Sequence, residues 1–195
     1  MSSPGQIYLK KDPVMRKLIA KHQIKEYYGG QNNRFLDLIE IVIGQQLSMK
    51  AADSILKRFL ALFPAKPKPD DVQKVSVEKL RSVGLSNSKA NYVKNIAQAI
   101  SSGAIILDQL EKLTDDGIKK ELIKIKGIGP WSAEMFLIFS LKRPDVFSVG
   151  DLGLRSAIEK LYGIKRDDQK AILVLAETWR PHRSLASRLL WASLE

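Results

Sequence analysis

The 195-residue sequence contains no cysteine, which excludes disulfides, thiolate zinc sites and a cysteine-bound iron–sulfur cluster. Its two histidines, His22 and His182, are too few for a catalytic zinc centre of the usual kind. No run of about 18 apolar residues occurs, so no transmembrane helix is expected and a membrane is not a partner. The opening residues, Met1-Ser2-Ser3-Pro4-Gly5, carry no apolar signal region, and secretion is not expected. Strand-like alternation is nearly missing too. Gly103-Ala104-Ile105-Ile106-Leu107 is the best candidate, and it is too isolated for a sheet.

What is present in excess is positive charge. Thirty-two Lys and Arg stand against 21 Asp and Glu, giving a formal net charge of +11. A lysine-decorated surface could produce that number without a ligand. A polyanion partner is the sharper reading, because neutralising phosphates releases counterions and drives salt-sensitive binding. Charge alone does not choose between DNA, RNA and anionic lipid.

The apolar spacing is helical almost throughout. Asp12 before Pro13 starts a helix over 14–25, and the dense apolar run of 34–44 predicts a central one. Ser48 caps 49–63, which stops at Pro64; Pro64 to Pro69 is a loop. Asp70 and Asp71 open a short helix, and helical segments follow at 77–83, 88–101, 108–113 and 115–125, the last capped by Thr114. Beyond them lie 132–141, 152–162, 168–178 and 185–191. The expected fold class is all-α, with about ten helices.

One junction stands out. In Lys126-Gly127-Ile128-Gly129-Pro130-Trp131-Ser132-Ala133 two glycines flank one aliphatic residue between two apolar helices. Glycine accepts φ > 0 without steric cost, so the turn can be tight, with Ile128 as a plug beneath it. Backbone N–H groups of Gly127, Gly129 and Ser132, with the Ser132 hydroxyl, then form a small anion site suited to one phosphate. Pro130 has no N–H to offer. Twenty residues past Trp131 comes Val149-Gly150-Asp151.

The hairpin, the downstream aspartate, the Gln45-Gln46-Leu47-Ser48 segment and the Trp179-Arg180-Pro181 run together resemble the helix-hairpin-helix (HhH-GPD) glycosylases of base-excision repair. Within that superfamily the chain is most similar to the alkylpurine, or 3-methyladenine type II, DNA glycosylases. The resemblance covers about residues 33–192 and implies two helical subdomains with DNA in a cleft between them. One would span 32–140, with the hairpin at about 114–140. The other would join 1–31 to 141–195 and carry Asp151.

The resemblance implies that Asp151 is catalytic. A carboxylate beside the sugar can stabilise oxocarbenium character and orient or deprotonate a water. Asp151 also reads simply as an N-cap of the helix from Leu152, and both can hold. Asp115, Asp116 and Asp145 read as caps or solvent-facing groups. Trp131 occupies the place where bifunctional members carry a lysine. An indole cannot form a Schiff base, so the chain resembles the monofunctional branch, with an abasic site as product. Trp131 and Trp191 are the implied base-pocket aromatics, suited to cationic alkylpurines. Tyr27, Tyr28, Met135 and Phe136 are weaker candidates for its walls, and Trp179 is assigned to packing with Arg180 and Arg183 as exposed basic flanks.

Gln46 is the implied intercalating residue, filling the hole left by a flipped base, with Leu47 as a buried neighbour. Lys89 and Arg155 are candidate phosphate contacts. Backbone carbonyls of Ile123, Ile125 and Ile128 are where members hold Na+ or K+. No cofactor is required. The partner is double-stranded DNA carrying a damaged base, met by an intracellular monomer located with the DNA, in cytoplasm, nucleoid or nucleus. Two other readings stay open: a non-catalytic hairpin module that binds DNA structure, and a glycosylase for oxidised bases.

Overall fold

Residues 2–24 and 33–194 are described by a computed structural model. Tyr27 and Tyr28 lie outside them. The described residues are helical with no strand. The chain divides into two compact units, Gln31–Phe136 and the pair Met1–Gly30 with Leu137–Glu195. The first ends at Phe136 rather than at 140, inside a helix rather than after it.

The unit Gln31–Phe136 contains α3 (Arg34–Gly44), α4 (Met49–Leu60), α5 (Pro69–Lys74), α6 (Val77–Ser82), α7 (Asn87–Ser101), α8 (Leu107–Leu110), α9 (Asp115–Ile123) and α10 (Pro130–Met135). Side-chain oxygens begin most of these helices. Asn33, Ser48, Ser76, Ser86 and Thr114 each accept from an N–H of the first turn. The apolar run of α3 is buried as expected and packs on α4, α7 and α10. Helix α7 also packs on α5 and α6. Lys94 of α7 donates to the carbonyls of Val72, Gln73 and Val75 at the end of α5, and burial lowers its pKa.

The other unit contains α1 (Pro4–Leu9), α2 (Pro13–Lys21), a π-helical turn ending at Ser140, α11 (Leu152–Tyr162), α12 (Gln169–Glu177) and α13 (Arg183–Ala192). Its core gathers Leu9, Met15, Leu18, Leu154, Ile158, Ile172, Leu189 and Leu190 around the fully buried Trp179. Asp12 stitches this core. Its Oδ1 caps α2 at Val14 and Met15 (2.8 and 3.1 Å), and its Oδ2 accepts from the Tyr162 hydroxyl (2.8 Å) and Trp179 Nε1 (3.1 Å). Burial, and the Asp12 carboxylate beside it, hold the Tyr162 phenol well above its ordinary range.

Three expectations are corrected. Thirteen α-helices rather than about ten occur among the described residues. Helix α1 was unforeseen, although Ser3 and Gln6 form a reciprocal capping box (3.3 and 3.0 Å). The 132–141 helix instead starts at Pro130, where proline at the first position needs no N–H partner, and changes to π geometry from Phe136 to Ser140.

Candidate active site and nucleic-acid grip

The hairpin is built from its two glycines outward. Helix α9 ends at Ile123, and Ile128 N–H closes the turn on the Ile125 carbonyl (3.0 Å). Gly127 has φ +111°, a conformation that suits glycine. It is also sterically required, since a Cβ there would lie 2.2 Å from the Tyr92 ring. Ile125 and Ile128 are both buried, so Ile128 is a plug in fact. Asn95 Nδ2 donates to the Lys126 carbonyl (3.0 Å). Gly129 is the N-cap of α10 and offers no side-chain cap, so the first-turn N–H groups have no intrahelical acceptor.

The Ser132 side chain departs from expectation. It is 2% exposed, and its Oγ accepts from Gln45 Nε2 (2.9 Å) instead of facing outward. At the third position of α10 the side chain turns toward the α3–α4 connection. The same Gln45 nitrogen donates to the Gly127 carbonyl (3.1 Å). The turn itself is strained and open. Gln46 is exposed with φ +57°, rare for a residue with a side chain. Leu47 is not a buried plug: it is 41% exposed, and Met49 is 72% exposed. The hydrogen bonds of Gln45 and the cap of Ser48 fix the backbone on either side and push the intervening side chains outward.

Asp151 is the N-cap of α11 and something more. Its Oδ1 accepts from Leu154 N–H (2.8 Å) and from Trp191 Nε1 (2.9 Å). The carboxylate and the half-buried indole therefore form one fixed group on α11 and α13. Phe139, on the π-helical turn, lies against the Trp191 ring with centroids 5.5 Å apart and planes at 31°. Gly153 makes room for the pair. A Cβ there would lie 3.1 Å from Asp151 Oδ1 and 3.3 Å from the Trp191 indole. Phe139 and Gly153 were not singled out from sequence; a glycine two residues past a candidate catalytic aspartate was the available signal.

With this geometry in hand, comparison with known proteins is decisive. Residues 39–181 match the family model described as HhH-GPD superfamily base excision DNA repair protein. The chain belongs to this superfamily. It is 36% identical over 162 residues to DNA-3-methyladenine glycosylase 1 of Schizosaccharomyces pombe, covering 80% of this chain and 70% of that one. A Bacillus subtilis relative, provisionally named the DNA-3-methyladenine glycosylase YfjP, is 34% identical over 168 residues, covering 81% of this chain and 58% of its own. The HhH-GPD fold is matched by the solved S. pombe 3-methyladenine DNA glycosylase in complex with abasic DNA, with a TM-score of 0.87 at 31% identity, covering 97% and 95% of the two chains.

Other residues assigned from sequence stand elsewhere in this HhH-GPD chain. Lys89 is turned inward and donates to the Ile43 and Gln45 carbonyls (2.8 and 2.6 Å), with its pKa lowered by burial. Orphan carbonyls at the end of α3 attract its ammonium. Arg183 is not an exposed flank: its side chain is 14% exposed and grips Asp145 (2.7 Å), which also meets Arg180 (2.8 Å). Asp145 is thus an ion-pair centre whose Oδ1 also accepts from the Arg183 N–H at the start of α13 (3.5 Å). Arg155 Nη1 reaches the Arg166 carbonyl (3.3 Å), and its buried Nε has no hydrogen-bond partner. Met135 and Phe136 are buried core. Trp131 is half-buried on α10. Among the described residues no group of three or more His, Cys, Asp or Glu could hold a metal, and no helix is long and apolar enough to cross a membrane.

Proposed function

We propose that the protein is a monofunctional DNA glycosylase that flips an alkylated purine from double-stranded DNA and hydrolyses its bond to the sugar. The observation that carries this reading is the 2.9 Å bond from Trp191 Nε1 to Asp151 Oδ1, which fixes the edge of an electron-rich indole against a carboxylate. The substrates it fits are 3-methyladenine and 7-methylguanine, whose positive charge favours an indole face and weakens the glycosidic bond. Such a base leaves as a neutral molecule, taking the electron pair of the C1′–N bond. Water adds its oxygen to C1′, and the Asp151 carboxylate stabilises the positive sugar and receives the proton released.

The remaining roles follow the same reading. Backbone N–H groups of Gly127, Gly129 and Ser132 hold one phosphate, Gln46 enters the gap in the duplex, and Trp131 supplies a further indole face to the base. Trp131 also carries no amine for a Schiff base, so the strand stays intact and an abasic site remains. A monovalent cation on the carbonyls of Ile123, Ile125 and Ile128 fits the oxygen donors present. The Ile125 carbonyl keeps one lone pair after accepting from Ile128, and the ion would offset phosphate charge. The protein acts as a monomer on DNA.

The deciding experiment is Asp151→Asn. Release of 3-methyladenine and 7-methylguanine from methylated duplex should fall by about a thousandfold or more, with DNA affinity held within about tenfold. Undiminished base release by this variant would overturn the assignment.

A further inference from the structure

We propose that Gln45 is a positioning residue that couples phosphate capture at the hairpin to insertion of Gln46; this rests on the function proposed above. Three observations converge on residue 45. Its side-chain nitrogen gives hydrogens to Gly127 O (3.1 Å) and Ser132 Oγ (2.9 Å), one on each side of the backbone that would hold the phosphate. Its own carbonyl is held by the Lys89 ammonium (2.6 Å), which also holds the Ile43 carbonyl (2.8 Å). The residue immediately after it carries the left-handed conformation, φ +57°, with its side chain exposed.

These facts describe a linkage. Residue 45 is fixed at its side chain by α10 and the hairpin, and at its backbone by α7. The turn into α4 is therefore absorbed by residue 46, at the steric cost that left-handed residues other than glycine carry. Such strain persists only where the surroundings over-determine it, and here the surroundings are the hairpin itself. Helix α7 braces the same two loops along one face: Lys89 holds the turn, Tyr92 lies under Gly127, and Asn95 holds the Lys126 carbonyl. Movement of Gly127 or Ser132 on a phosphate is transmitted to Gln46 through one amide group.

A double-mutant cycle on the full chain tests the coupling. Single-turnover release is measured from a duplex bearing one 7-methylguanine, or 3-methyladenine where the wild type prefers it. Gln46→Ala and Gln45→Ala should each slow release about tenfold, and the double variant should stay within about twofold of Gln46→Ala alone. Ser132→Ala removes the acceptor while keeping the backbone N–H. It should slow release in the same sense and add nothing to Gln45→Ala, and it replaces that variant should Gln45→Ala fail to fold. Gln45→Ala at the wild-type rate, or a double variant slowed about a hundredfold by multiplication, overturns the coupling and leaves the glycosylase reading intact. Gln46→Ala at full speed, or a wild type that releases neither base, overturns the underlying reading and the coupling with it.

Discussion

Two aspartates in one unit of this protein do the same structural work to different ends. Asp12 and Asp151 each cap a helix, and each accepts the N–H of a tryptophan. They differ in how the donors are shared out. Asp12 uses Oδ1 for the cap and Oδ2 for Trp179 and the Tyr162 hydroxyl, so both oxygens hold the fold together. At Asp151 the cap and Trp191 converge on Oδ1. The indoles differ in kind as well. Trp179 is 1% exposed and lies between Phe147 and Tyr162, whereas Trp191 is half-buried beside Phe139. On the proposed function, Asp151 and Trp191 form the pair that meets the base, while Asp12 and Trp179 serve the core.

The comparison breaks most sharply at the carboxylates. Asp151→Asn keeps an N-cap and should leave the urea midpoint nearly unchanged while base release collapses. Asp12→Ala should do the reverse. Loss of a cap and two hydrogen bonds in a buried network should lower stability by about 3 kcal/mol, seen as a lower urea midpoint, with release per folded molecule unaltered. Should Asp12→Ala instead abolish release in protein that is fully folded, the division of labour between the two pairs is wrong.

The indoles sharpen the same division with a smaller effect. Trp191→Phe keeps a ring and deletes the N–H, so single-turnover release should fall about tenfold with little change in melting temperature. Trp179→Phe leaves an acceptor less satisfied in the core and should cost about 1–2 kcal/mol in denaturation, with release unchanged. The smallest effect is expected of Gly153→Ala. Its Cβ would press on both Asp151 Oδ1 and the Trp191 indole, and displacing them by a few tenths of an ångström should slow release about threefold, without a shift in DNA affinity. A rate equal to the wild type's would show that the pair tolerates displacement.

Much of this arrangement was readable from local patterns, and the remainder was not local. Gly127 marked the hairpin because its turn needs glycine, whereas Gly129 is extended with open space around it; Asp12, Ser48 and Thr114 announced helix starts because capping acts over three residues. Gln45 reads in sequence as one of a polar pair at a turn, since its partners stand 82 and 87 positions away. Tyr92 carries no mark at all; only the fold brings it beneath Gly127. Lys89 reads in sequence as a candidate phosphate contact, because its acceptors, the carbonyls at the end of α3, lie 46 and 44 residues away. Asp145 and Arg183 look like surface charge because their pairing crosses 38 residues. The π-helical turn leaves no trace in an apolar run whose period differs so little from that of an ordinary helix.

The braced turn at Gln46 has a consequence for time rather than for affinity. A repair protein meets a vast excess of sound base pairs, and each must be examined and released. Because the left-handed bend is set by bonds within the protein, on the proposed reading the loop enters each encounter with its turn already formed. The dwell at each step would then be governed by how readily the duplex itself yields, and a weakened, damaged pair yields sooner than its neighbours.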